Sequence, residues 1–290
     1  MPNRVAVLSK ALNGAWASSM YQLNGVQEVE VKMPNNVVLL EDINSRDAAI
    51  VRRGNFDDIE VSIKGIFDPS RGMTQLLRGI LNYSSTTNPD IGVRYRHLYT
   101  VYGVDNSINV LQIYIDNTSS PIAIDQAIVK SIKIDISGTD LARYTVDAIG
   151  KYVSGVSVTY NTEAIRPIYR VTGTNNVFKA SISLDAKHRP IYSVNGDAKI
   201  IGFGNYDINI ELESNDAIHF TRARDNASTT LNLNLYGDTL GTGNYGLEFS
   251  LLNAYAVSAL PVKAGEHIML KAKYIGNLGT FAIHNGNSNP

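Results

Sequence analysis

The chain has no cysteine among its 290 residues. That excludes a disulfide framework, a thiolate nucleophile and any Cys-ligated metal, and it suits folding in a reducing cytoplasm. An excess of one charge is also missing. The formal net charge is −1, and acidic and basic residues balance in both halves. Phosphate-driven nucleic-acid binding needs a basic surface, so it is not the expected main activity. No stretch approaches 18 consecutive apolar residues, so no transmembrane helix and no membrane insertion are expected. Near the start, Lys10, Asn13 and Gly14 interrupt the apolar residues, which argues against a signal peptide. The five histidines (His97, His188, His219, His267, His284) have no metal-ligand spacing, and neither H-E-x-x-H nor G-x-S-x-G occurs. No catalytic residue, no metal and no cofactor are expected, and the chain does not read as an enzyme.

What is present is alternation. Apolar residues make up 44% of the chain and charged residues 18%, which excludes disorder. Glu28–Met33 reads EVEVKM, Ile59–Ile63 IEVSI, Ile128–Ile136 IVKSIKIDI, Ile208–Leu212 INIEL and Leu231–Leu235 LNLNL. Period-two alternation predicts strands with one buried and one polar face. The fold class expected is mainly all-β, with two tandem β-sandwich modules. One segment has another period. Met73, Leu76, Leu77, Ile80 and Leu81 form one helical stripe, with Asp68 as cap and Pro69 at the first helical position. It predicts a helix over 69–82, and the second module shows no equally clear one. Length favours two domains: residues 1–155, a structured connector at 156–176 within a junction region (151–176) marked by Gly155, Pro167 and Gly173, and residues 177–290.

The halves echo each other. RDAAIVRRGNFD at 46–57 returns as GDAKIIGFGNYD at 196–207, so Gly54, Asn55 and Asp57 recur as Gly204, Asn205 and Asp207. A turn feeding a strand explains the motif without chemistry, since Gly and Asn tolerate positive φ. Leu111–Asn117 and Leu247–Asn253 form a second echo in the same order, and together the two point to duplication. Gly241–Gly246 matches G-x-G-x-x-G, but the alternating LEFSLL that follows makes it a hairpin and not a nucleotide loop. Tyr95, Tyr99 and Tyr102, near Arg94 and Arg96, fit a sugar-stacking surface, an interface patch or ordinary strand packing.

Strands of this kind, the helix RGMTQLLRGIL and the late strand IVKSIKIDISG followed by a polar loop resemble the major tail tube proteins of tailed phages and viruses, and the inner-tube proteins of contractile injection systems. The second module repeats the pattern as INIELES and IMLKAKYIG. The resemblance implies a structural virion protein, assembled in the host cytoplasm, whose rings stack into a tube that conducts viral DNA. A two-module chain implies trimeric, pseudo-sixfold rings. The implied partners are the chain itself, a tail terminator, a distal tail or baseplate protein, a tape measure, and DNA that passes without specific binding. A wall for sliding DNA would carry few basic and some acidic groups. The candidates are Asp58, Glu60 and Ser62 in the first module and Asn209, Glu211 and Glu213 in the second; the same residues fit an outward face equally well. The loops at 83–92 and 116–126 are candidates for ring-to-ring contacts. Another tail component, such as a distal tail or hub ring, and a glycan-binding sandwich remain the alternatives.

Overall fold

The computed structural model describes residues 4–12, 14–32, 37–41, 48–52, 58–103, 109–116, 121–137, 140–173, 176–192, 198–202, 206–264 and 267–290. The fold is mostly β, dominated by one large curled sheet. The strands of the first half are β1 (Arg4–Lys10), β2 (Ser19–Leu23), β3 (Val26–Lys32), β4 (Val37–Glu41), β5 (Ala48–Arg52), β6 (Asp58–Ile66), β7 (Asn82–Asp90), β8 (Arg94–Thr100), β9 (Val110–Asp116), β10 (Ile122–Ser137) and β11 (Arg143–Val153). Helix α1 (Arg71–Arg78) follows β6. Then come β12 (Thr159–Asn161), β13 (Arg170–Gly173), β14 (Val177–Asp185), β15 (Arg189–Tyr192), β16 (Ala198–Gly202), β17 (Asp207–Ser214), α2 (Ile218–Asp225), β18 (Ser228–Leu240), β19 (Gly243–Ala264) and β20 (His267–Asn285).

Two paths through the sheet have the same order. In the first half β1, β9, β10, β11, β6 and β3 are consecutive neighbours; in the second, β13, β18, β19, β20, β17 and β14 are. A hairpin (β4–β5 or β15–β16) precedes the β6 or β17 position, and a helix follows it. The equivalence holds to the residue. β10 has bulges between Asp125 and Ile128 and between Val129 and Ser131. β19 has them between Leu252 and Tyr255 and between Ala256 and Ser258. Gln126 and Asn253, the residues inside the first bulge of each pair, both have positive φ (52° and 48°). Opposite each bulge sits a glycine. A Cβ on Gly150 would lie 2.7 Å from Ala127 Cα, and one on Gly276 would lie 3.1 Å from Ala254 Cα and 2.6 Å from the Leu252 carbonyl oxygen. Bulges bend a strand and increase its twist. Here they mark where β10 changes neighbour along one edge, from β9 to β14.

This register corrects one echo. Leu111 lies on β9 and Leu247 on β19, which are not equivalent; the counterpart of β9 is β18. The 46–57/196–207 echo does fall on equivalent elements where it is described, β5 with β16. The helix is also shorter than expected. It starts at Arg71 with Ser70 at its N-cap, and the Asp68 carboxylate does not cap it. Asp68 is buried and accepts hydrogen bonds from Asn24 Nδ2 (2.7 Å) and the Arg166 backbone N–H (3.1 Å), tying the β2–β3 turn to the connector. The helix ends at Arg78, although Ile80 and Leu81 stay fully buried on non-helical backbone. The expected loop at 83–92 is mostly strand β7, as its Tyr83, Thr86 and Thr87 favour. The second half has a helix after all, α2.

Candidate functional site

Eight strands form one antiparallel run: β3, β6, β11, β10, then β14, β17, β20 and β19. Each half supplies four, in the same order, and the β10–β14 ladder joins them from Ser131↔Asp185 to Ser137↔Lys179. One face of this run is the core. Ile132, Ile134, Ile182, Leu184, Ile210 and Leu212 are all essentially inaccessible there. Strand pleating sends the alternate residues to the opposite face.

That opposite face is polar. One transverse row reads Glu30, Ser62, Asp147, Ser131, Asp185, Asp207, and the next reads Glu28, Lys64, Thr145, Lys133, Ser183, Asn209. Ser62 and Asn209 therefore share this surface, and so do Glu60, Glu211 and Glu213 by alternation along β6 and β17. The backbone of Asp58 opens β6 opposite Lys151. Gly54, Asn55, Asp57, Gly204 and Asn205 lie outside the described residues. Asp207 begins β17 and pairs with Lys187 across the β14–β15 turn.

The face differs from the expected wall of few basic groups. Lysines are interleaved with the acids. Lys130 reaches Glu60 at 2.7 Å and, by hydrogen bond and charge, holds its carboxyl below the usual range. Lys64 meets Glu28 at 3.0 Å, Lys179 meets Glu213 at 2.9 Å, and Lys271 meets Glu211 at 3.1 Å. Each such pair is worth about 0–1 kcal/mol at an exposed site. Their effect is to leave neither a continuous basic stripe nor a bare acidic one. Two open grooves cross this face at the β10–β14 junction, one lined by Glu60, Lys130, Asp147 and Lys187, the other by Asp135, Lys179, Glu213 and Lys271.

Sequence reasoning missed the anchor between the halves. Tyr206, the aromatic of GNYD, donates from its hydroxyl to the Ile80 carbonyl beyond α1 (2.6 Å) and lies 3.1 Å from His188 Nε2. Tyr102 packs edge-on against the same imidazole and donates to the Arg78 carbonyl (2.6 Å). Burial pushes His188 down to about 4. The signal available was the aromatic kept at that position in both copies of the motif. The proposed sugar-stacking cluster disperses: Tyr99 and Tyr102 are buried, Arg94 pairs with Asp90 (3.1 Å), and Arg96 pairs with Glu248 (2.8 Å). Among the described residues no group of three or more His, Asp or Glu side chains is placed to hold a metal ion, and no helix is long and apolar enough to cross a membrane.

No protein-family model matches the chain, and a search of curated proteins returns no match.

Proposed function

We propose that this chain is a tail tube subunit, a structural virion protein that assembles into stacked rings around a channel for viral DNA. One observation carries the reading: the four-strand unit β3-β6-β11-β10 continues without a break into a second unit of identical order. A chain built this way contains a junction between repeats and ends in the two edges that such a junction joins. Adding further copies head to tail extends one sheet, and such a heterologous contact makes a ring when the rotation closes. Closure also removes the exposed edges that otherwise invite uncontrolled pairing. Three chains would supply six repeats.

The polar face fits the wall of the channel in this reading. Its lysines are engaged by carboxylates, so few free cations remain to hold a passing phosphate backbone. The core face, with α1 and the second layer of β1, β2 and β9 behind it, then lies outward. Negative-stain electron microscopy of the purified protein over a concentration series tests the proposal. Hollow tubes or stacked rings with threefold or pseudo-sixfold end views are expected. Monodisperse monomers at every concentration, with and without an added tail-tip fraction as initiator, would contradict it.

A further inference from the structure

The internal junction specifies the residues of an intermolecular one. The bulges place Ser131 of β10 on Ser258 of β19, an offset of 127. A second irregularity fixes the other edge. β3 shifts register against β6 between Val26 and Glu28, and β14 shifts against β17 between Val177 and Lys179, an offset of 151. Both strands of the β10–β14 ladder therefore have known counterparts, and those counterparts are the two ends of the sheet. Among the described residues, β3 pairs only with β6, and β19 beyond its last bulge pairs only with β20.

We infer that β19 of one copy pairs antiparallel with β3 of the next, in the register of the internal ladder. Lys133↔Ser183, Ile134↔Ile182 and Asp135↔Ser181 translate to Leu260↔Lys32, Pro261↔Val31 and Val262↔Glu30. The inference rests on the assembly reading above and adds the contact surface and its register to it.

A second, independent observation concerns apolar exposure. Ile134 and Ile182 in the internal ladder are fully buried. On the β19–β20 hairpin, Val257 is 52% exposed, Leu260 63% and Ile268 75%. Val257 and Leu260 stand on β19 in the positions of Lys130 and Lys133, on the polar face, and Ile268 stands on β20. A partner's β3 laid along this edge sets Lys32 beside Leu260, and its aliphatic stem shields part of that apolar surface. The partner this inference commits to is a second copy, because its β3 edge carries the matching register shift. Pro261 and Lys263 guard the edge meanwhile. A proline without an N–H and an exposed lysine are the usual means by which a free edge avoids unrelated strands. Pro261 removes at most one ladder hydrogen bond from the seam.

Cysteine pairs test the register, because the native chain contributes none. A chain carrying Val262→Cys and Glu30→Cys has its two thiols on opposite edges of the eight-strand run, so a disulfide must join two copies. Directly opposed residues lie within the roughly 7 Å Cα separation a disulfide tolerates. Under mild oxidation of assembled protein, this pair is expected to give linked dimers and trimers at several times the yield of Val262→Cys with Glu28→Cys, which is two residues out of register. The single variant Glu30→Cys is expected to give no linked dimer. Rings or tubes in which the in-register pair links no better than the offset pair would overturn the seam and leave the tail tube reading standing. Efficient linking of Glu30→Cys alone would mean that like edges pair by a twofold and would also overturn it. Neither assemblies nor links at any concentration would overturn both.

Discussion

The two helices occupy the same place in the repeat and have opposite surroundings. α1 follows β6 and buries Met73, Gln75, Leu76 and Leu77 beneath β1, β2 and β9. α2 follows β17, contacts only β19 and β20 among the described elements by more than a few residues, and buries His219 alone. Its Ile218 and Phe220 face outward. The seams differ in the same sense: the first repeat's β10 edge is closed by β14, while the equivalent stretch of β19 is open. Equivalent backbone has thus been furnished with a finished interior in one half and an unfinished surface in the other. A subunit that completes itself by meeting another copy would be built so.

The sharpest way to break this comparison is to truncate matching helices. Leu76→Ala removes a fully buried side chain and is expected to cost about 2–5 kcal/mol, whereas Phe220→Ala, 51% exposed, should stay within about 0.5 kcal/mol in the monomer. Denaturant unfolding of the two variants checks the contrast, and equal losses would remove it.

The shared bulges give the opposite expectation, equality. Gly150→Ala and Gly276→Ala each drive a Cβ into the backbone of a bulge, so each should destabilise by about 1–3 kcal/mol. If thermal unfolding finds one substitution neutral, the two bulges are not packed alike.

The junction between halves should respond to acid. His188 titrates near 4 when folded and near 6.5 when unfolded. Its lowered value means that the unfolded chain takes up the proton first, so stability should fall as pH drops from about 6.5 to about 4 and level off below. The loss is on the order of 3 kcal/mol. His188→Gln should flatten that slope in a pH series of urea midpoints. An unchanged slope would assign the acid response elsewhere, for example to His97, which burial also pushes down.

The smallest effect belongs to the polar face. Glu211→Lys with Glu213→Lys replaces carboxylates that meet Lys271 and Lys179, and exposed pairs lose only about 0–1 kcal/mol each. The folded monomer should therefore survive. DNA delivery by virions that carry the variant should fall, since the reversal gathers lysines along the channel wall. Normal infectivity would remove this face from the channel.

Much of this architecture is legible in the sequence, for identifiable reasons. Two-residue alternation exposed INIEL and IVKSIKIDI as strands and put Glu60 with Ser62, and Glu211 with Glu213, on common faces. It did not show that Lys130 and Lys271 would neutralise them, because those lysines come from other strands. α1 announced itself by an apolar stripe. α2 did not, because IHFTRARD turns only a histidine inward, where His219 Nδ1 meets the Tyr274 hydroxyl at 2.7 Å. The repeat was visible at its hairpin but misaligned beyond it. Loop lengths differ between the halves, so the offset falls to 127 at the bulges. There the surviving likeness is only Gln126-Ala127 with Asn253-Ala254 and Ile149-Gly150 with Ile275-Gly276. Backbone geometry has been kept where side chains have not.

Hydrogen exchange tests the continuity of the sheet between copies most directly. The outward-pointing amides of 28–32 and of 260–264, where Pro261 has none, should exchange fast in the dilute monomer and slow on assembly to the protection of their counterparts in 131–137 and 179–185, the internal ladder. Assembled particles in which both edges stay as exposed as in the monomer, with new protection only elsewhere, would contradict the account.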